Sequence, residues 1–278
     1  MKIGFLSMQK YENRRPMTVG SSRIRGNAVM KYCPEIVEFQ NGVEYGAVIY
    51  QKAFWKEHMQ LYKGIKIFDI CDPVWLEGRP ITEVIENVDA ITCSTDALTK
   101  YLVQLTDKPV ITIPDRVDPE EYFPTKEAHI GKARSVVWFG YSQNHVVLDQ
   151  VLQSLKRLNL KLVVISDRAY RDADVNIKWD VATVYKDIIE HDMVINPAFT
   201  KDLRFTFKSN NKTLSSWALK MPVANDAEQM ERFLDPKERE KESSERYAEV
   251  VSKWHVKESG PQYLELIQSI ISKKGSDQ

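Results

Sequence analysis

Lys208, Asn211 and Lys212 stand in the segment KSNNKTLSSWALKMPVAND, just ahead of a helix whose apolar positions are Leu214, Trp217, Ala218 and Met221. Two ammonium groups, an amide and the unbonded N–H groups of a helix start, with its partial positive charge, make a set that could hold a diphosphate. The same residues also fit solvated lysines with Asn210 or Asn211 as a simple N-cap. A second polar set lies in QKYENRRPMTVGSSRIRG, residues 9–26, which carries Gly20, Ser21, Ser22, Arg23, Arg25 and Gly26. Glycine and serine permit close backbone approach and capping, and the two arginines could face an anionic donor or acceptor. Arginines on a surface loop, paired to nearby carboxylates, account for that pattern equally. The third candidate is FDICDPVW, residues 68–75, where Asp72 precedes Pro73. A carboxylate at a strand end can accept a proton or hold a hydroxyl, and Asp-Pro also starts turns. His58 and His191 are the only histidines near such positions, both are expected to be structural or exposed, and no catalytic triad is legible.

Elements that could position these residues are written in the apolar runs. Strand-length runs at 2–8, 45–50, 65–70, 89–94 and 109–114 alternate with stretches of helical period such as 53–62 and 95–105. That alternation predicts βα units and a parallel sheet. Residues 115–132 break the pattern with Pro119, Pro124, Gly131 and a cluster of charges, which reads as a connection between domains. The series then restarts: strands at 135–141, 161–166, 192–197 and 221–226, helices over 145–158 and 181–190. The expected organisation is an N-terminal Rossmann-like domain over 1–118, a linker over 119–132 and a C-terminal Rossmann-like domain with terminal helices over 133–278. Ligands of such sheets bind beyond the carboxyl ends of the strands, where the three polar sets fall. The charge run at 237–254 is expected to be a solvated helix face.

Composition narrows the classes. A chain of 278 residues suits two domains, and 43% hydrophobic with 28% charged residues is ordinary for a globular protein. With 39 basic and 39 acidic residues there is no excess charge of the kind a general polyanion binder shows. Cys33, Cys71 and Cys93 are too few and too irregular for a disulfide framework or zinc site, and are expected as buried thiols. The short apolar stretch at the N-terminus is unlike a signal peptide and no run reaches membrane-spanning length, so the protein is expected in the cytoplasm and the sequon at Asn211 is expected to carry no glycan.

Five segments, in order, resemble glycosyltransferases of the GT-B type, particularly the broad group similar to family 4. ENVDAITCSTDALTKYL is similar to a strand ending in serine that leads to a helix, and VITIPDRVDPEEYFP to the interdomain segment. SVVWFGY resembles the opening strand and glycine turn of the donor domain, HDMVINP the strand that ends in proline, and KSNNKT followed by ALKMPVA the Asn-Lys helix start closed by Pro-Val. The sequence departs where many members carry two glutamates eight positions apart: those places hold Phe207 and Ser215, and Lys220 stands where a small residue is usual.

The resemblance implies two Rossmann-like domains facing across a cleft and transfer of a sugar from a nucleotide-diphosphate sugar, such as a uridine or guanosine diphosphate sugar, to an acceptor hydroxyl. It assigns the diphosphate to Lys208 and Lys212, assisted by Asn211, Gly140 and Tyr141, with Asn196, Thr213 and Ser215 also on the donor side and Ser166 and Asp167 near the base or ribose. Asp72 is the catalytic carboxylate in this scheme, and Ser21, Ser22, Arg23 and Arg25 face the acceptor or phosphates. No cofactor and no metal are implied, because lysines would neutralise the leaving group. The acceptor stays open between a glycan, a lipid-linked sugar, a small molecule and a modified nucleic-acid base. A catalytically silent binding module of the same fold is the alternative function, and an epimerase or hydrolase is a third.

Overall fold

In the computed structural model, which describes residues 1–14, 19–198 and 201–276, the apolar runs form two separate parallel sheets. Residues 15–18 of the Gly/Ser/Arg loop lie outside the described residues. The first sheet holds β1 (Ile3–Ser7), β2 (Ile36–Glu38), β3 (Ala47–Gln51), β4 (Ile65–Ile70), β5 (Ala90–Cys93) and β6 (Val110–Thr112) in the order β2-β1-β3-β4-β5-β6. The second holds β7 (Ser135–Phe139), β8 (Lys161–Ser166), β9 (Val175–Lys178), β10 (Met193–Ile195) and β11 (Val223–Ala224) in the order β11-β10-β7-β8-β9. Each sheet reverses its direction of growth once, between β1 and β3 in the first and between β7 and β10 in the second. Those two switch points are where an open α/β sheet leaves a crevice beyond its strand ends.

Contacts divide the chain into two compact units: Met1–Arg116 with Asp202–Ser209 and Val256–Gln278, and Val117–Lys201 with Asn210–His255. In the first unit the two-residue strand period sorts side chains cleanly. Leu6, Val48, Tyr50, Phe68, Ile70 and Ile91 enter one apolar cluster, while Ile3, Phe5, Ala47, Ile49, Ile67 and Ala90 enter another on the opposite face. Both faces are covered, so the strands read as continuous apolar runs rather than alternating ones. The second unit packs Val137, Val163, Ile165 and Val194 against Leu214 and Ala218 of the helix Asn211–Ala218 and against Val250.

Three expectations about organisation need correction. The C-terminal domain was expected to run to residue 278, but the final helix, Ser259–Ser276, belongs to the first unit. Its stripe of Tyr263, Leu266, Ile267 and Ile270 buries in the cluster of Ile3, Phe5, Ile49 and Ile67, an apolar face that sequence order alone does not reveal. The 119–132 linker lies with the second unit, where Val117 and Tyr122 are core residues. The charge run forms the helix Pro236–Lys253, yet Arg239 within it is fully buried, donating to the carbonyls of Phe233, Leu234, Ile130 and Gly131.

The edge strands β2 and β9 were not anticipated, since one has three residues and the other carries exposed Asn176 and Lys178. The helix expected over 145–158 is a 3-10 turn at Ser142–Val147 followed by a helix at Leu152–Leu158. All three cysteines are buried free thiols. Among the described residues no helix is long and apolar enough to cross a membrane.

Candidate functional site

At the switch point of the second sheet, β7 delivers Trp138 and Phe139 and then turns at Gly140, whose φ is +151°. A Cβ there would lie 3.1 Å from the Trp138 indole and 3.6 Å from Lys212 Nζ, so the absence of a side chain is what keeps this strand end open. The Lys212 ammonium stands 4.1 Å from the centroid of the Trp138 ring and 5.8 Å from that of Phe139. Trp138 is fully buried, so its ring face is a fixed seat for the cation, worth roughly 0.5–2 kcal/mol. That is enough to bias the side chain's position without cancelling its charge.

Lys212 is the second residue of the helix Asn211–Ala218. The residue before that helix, Asn210, makes no side-chain capping bond, which contradicts the simple N-cap account of the asparagines. The first turn therefore receives no capping bond from the side chain that precedes it. Asn211 adds to this, because its Nδ2 is buried with no hydrogen-bond partner among the described residues. Beyond β10, Asn196 donates to Thr213 Oγ1 at 3.1 Å and ties the strand end to the helix start. Gly140, Asn196, Asn211, Lys212 and Thr213 are thus brought to one edge of one sheet.

Further along this edge, Asp167 follows β8 and accepts from the Ser142 amide at 2.7 Å and the Ser142 hydroxyl at 3.0 Å. Burial would raise its carboxyl, but these bonds hold it below the usual carboxylate range. Ser166 is buried and paired at 3.1 Å with Nε2 of His145, while Tyr141 is exposed at the strand end. His145 was not singled out in the sequence. Its ring meets Trp138 edge-on at 5.3 Å, and burial, opposed by Asp167 and reinforced by Lys212, keeps its pKa below the ordinary histidine value. Ser215, one of the two positions where glutamates are usual in the resembling family, is also buried. Its hydroxyl is spent on Tyr122 at 3.0 Å, so it does not open toward a donor.

The first unit collects a different set. Asp72 follows β4 by two positions and receives Lys52 Nζ at 2.6 Å from just beyond β3. Lys52 has φ of +50°, a left-handed conformation that costs a lysine on the order of 1–3 kcal/mol. Burial would raise the Asp72 carboxyl, but the charge and hydrogen bond of Lys52, helped by the charge of Lys208, hold it low. Lys208 clusters with this unit and Lys212 with the other, although the sequence set them four positions apart. Phe207 is core, edge-on to the stacked Trp75 and Tyr101.

Arg25 does not face a ligand. It is 3% exposed and donates to both oxygens of Asp69 at 2.6 and 2.8 Å, to Asp115 and Ile113 O at 2.7 and 2.8 Å, and to the Tyr263 hydroxyl at 3.4 Å. All five guanidinium hydrogens are engaged. Asp69 sits on the strand face that otherwise carries Ile65 and Ile67, and a buried carboxylate there requires a cation, which the π turn at Arg23–Asn27 supplies. Ser22 is buried between Gln51 and the Gln9 amide, and Ser21 accepts from Gln51 Nε2. Arg23 is half-buried, and its Nη1 has no hydrogen-bond partner among the described residues.

No protein-family model and no curated protein sequence is detectably similar to the chain. Solved structures are. T4 phage BGT in complex with its UDP-glucose substrate aligns over 96% of this chain and 99% of its own, with a TM-score of 0.61 and 13% identity. AviGT4, a glycosyltransferase involved in avilamycin A biosynthesis, aligns over 98% of both chains with a TM-score of 0.59 and 12% identity. The catalytic domain of starch synthase IV from Arabidopsis thaliana covers 84% of this chain and 74% of its own, with a TM-score of 0.54 and 12% identity. The chain therefore has the fold of the GT-B glycosyltransferases, two parallel-sheet α/β domains.

Proposed function

We propose that this protein is a cytoplasmic glycosyltransferase that moves a sugar from a nucleoside diphosphate sugar to an acceptor hydroxyl. The observation that carries the proposal is the start of the helix Asn211–Ala218. There an uncapped helix N-terminus, a buried amide without a partner and a lysine seated on an indole converge at a strand end kept open by Gly140. An uncapped helix start, a buried amide and a lysine, gathered at a sheet's switch point, suit a diphosphate.

The reaction needs a group that holds the leaving anion and a group that takes the acceptor's proton. As the bond from the anomeric carbon to the diphosphate oxygen breaks, negative charge grows on the leaving group, and Lys212 and the first-turn N–H groups stabilise it. The acceptor oxygen bonds to the anomeric carbon and gives up its proton, for which Asp72 is the base. Lys208 adds positive charge near Asp72. Ser166 and Asp167 take the nucleoside side of the donor. The donor is a uridine or guanosine diphosphate sugar, and no metal takes part: activity should survive a chelator. The acceptor is a glycan, a lipid-linked sugar, a small molecule or a modified nucleic-acid base.

Thermal-shift measurements against uridine, guanosine, adenosine and cytidine diphosphate sugars test the donor half. One base should raise the melting temperature selectively, by linkage. Lys212→Ala should abolish that rise and cost about 2.7–4 kcal/mol of transition-state stabilisation, measured as kcat/KM. A rise that persists in the variant removes Lys212 from the diphosphate. A binding module without turnover is the second reading, favoured by Ser215 and Phe207 being buried where the resembling family carries glutamates. Tight donor binding with no release of nucleoside diphosphate across a panel of acceptors would establish it.

A further inference from the structure

We infer that Lys52 is the residue that positions Asp72, holding one carboxylate oxygen so that the other is presented to the acceptor hydroxyl. The inference rests on Asp72 acting as the acceptor's base. Four observations within the first unit lead to it. The Lys52 side chain is 10% exposed and that of Asp72 34%, so the ammonium lies beneath the carboxylate and the carboxylate is the part a ligand can reach. Lys52 Nζ and Cys71 Sγ both bond to Oδ2, at 2.6 and 3.5 Å, and Oδ1 accepts no hydrogen bond from a described residue. The Lys52 amide continues the β3–β4 pairing by donating to Asp69 O at 3.0 Å, which anchors the lysine's backbone to the strand that ends just before Asp72. Its φ of +50° is a conformation glycine would hold at less cost, so stability alone does not account for a lysine there. A buried ammonium is likewise a poor choice for stability, since apolar replacements of such pairs are often neutral or better.

The charged and titratable groups around the pair are few. Asp72 is faced by Lys52 from beyond β3, by Lys208 from the Asp202–Ser209 segment and by the Cys71 thiol of its own loop; Glu77 and Cys71 face Lys52. Of these Lys52 contacts the carboxylate at 2.6 Å.

The test needs neither donor nor acceptor for its first arm. Lys52→Gly keeps the left-handed backbone without strain, so the variant should fold, and Lys52→Arg restores the charge. Carboxyl carbon NMR should show the Asp72 midpoint rising by about one unit or more in Lys52→Gly and returning toward wild type in Lys52→Arg. Once a donor is in hand, the acid limb of kcat/KM should move by the same amount, and kcat in Lys52→Gly should fall by about tenfold or more with the donor KM little changed. An unmoved Asp72 midpoint in a folded Lys52→Gly, or wild-type kcat, overturns the role of Lys52. Asp72→Asn separates this from the parent assignment: wild-type turnover in that variant removes Asp72 as base, whatever Lys52 does to its titration.

Discussion

Arg25 and Lys212 are both cations on polar segments that follow a strand, and the protein uses them in opposite ways. The guanidinium of Arg25 spends every donor on Asp69, Asp115, Ile113 O and Tyr263, inside an apolar cluster. Lys212 lies against an aromatic face at the start of a helix whose first turn has no side-chain cap. A cation whose donors are exhausted by its own protein holds elements together, because any loss strands two carboxylates in low dielectric. A cation seated on an aromatic face beside a helix start adds its charge to that of the helix dipole, where an anion is favoured. What separates structure from function here is whether a cation is enclosed by buried carboxylates or set at a helix start beyond a strand end.

The largest effect should come from breaking the closed member of the pair. Arg25→Met should lower unfolding free energy by about 3–5 kcal/mol in urea titration, because Asp69 and Asp115 remain buried. Lys212→Ala, by contrast, should cost no more than its seat on the indole, about 0.5–2 kcal/mol, while removing the donor thermal shift. A stable Arg25→Met protein would erase the distinction. Gly140→Ala should come next: a Cβ 3.1 Å from the Trp138 indole must displace the ring on which Lys212 rests. Donor affinity should drop by about tenfold with a stability loss near 1 kcal/mol, and equal losses in both would mean the glycine serves packing alone. The smallest effect concerns the histidines. Burial, the first cause in each case, lowers the pKa of His58, His129, His145 and His191. A depressed folded pKa means the unfolded chain binds more protons. Stability from these groups is therefore complete above the unfolded value of about 6.5 and declines as pH falls below it. Melting temperatures measured from about pH 7 to 5 should fall, and donor at saturating concentration should steepen the fall if His145 must stay neutral beside Lys212.

Much of the architecture was legible because β3, β4, β7 and β8 are buried on both faces, and such strands must be written in Val, Ile and Phe. β2 and β9 escaped notice because a three-residue edge and an exposed edge need no apolar run. The final helix was assigned to the wrong unit for a related reason: Tyr263, Leu266, Ile267 and Ile270 announce an apolar stripe, but a stripe does not name the surface it covers. At the site, Lys212, Asn211 and Gly140 carried local signals, a helix start and a glycine after a strand. Lys52 and His145 carried weaker ones. A lysine two positions after the buried run YGAVIY is a weak signal, since nothing local says its ammonium turns inward to Asp72.

By itself the amino-acid sequence determined two parallel α/β units, the helix that begins at Asn211 and the presence of cations beyond strand ends, all set by neighbours within a turn or a strand. Only the tertiary structure decided which cation is enclosed by buried carboxylates. The partners that close Arg25 lie 44, 90 and 238 positions away, and Lys52 meets Asp72 across 20. Hydrogen-bond completion at such separations depends on which strands become neighbours, and that is fixed by packing both faces of a sheet rather than by any local stretch of chain.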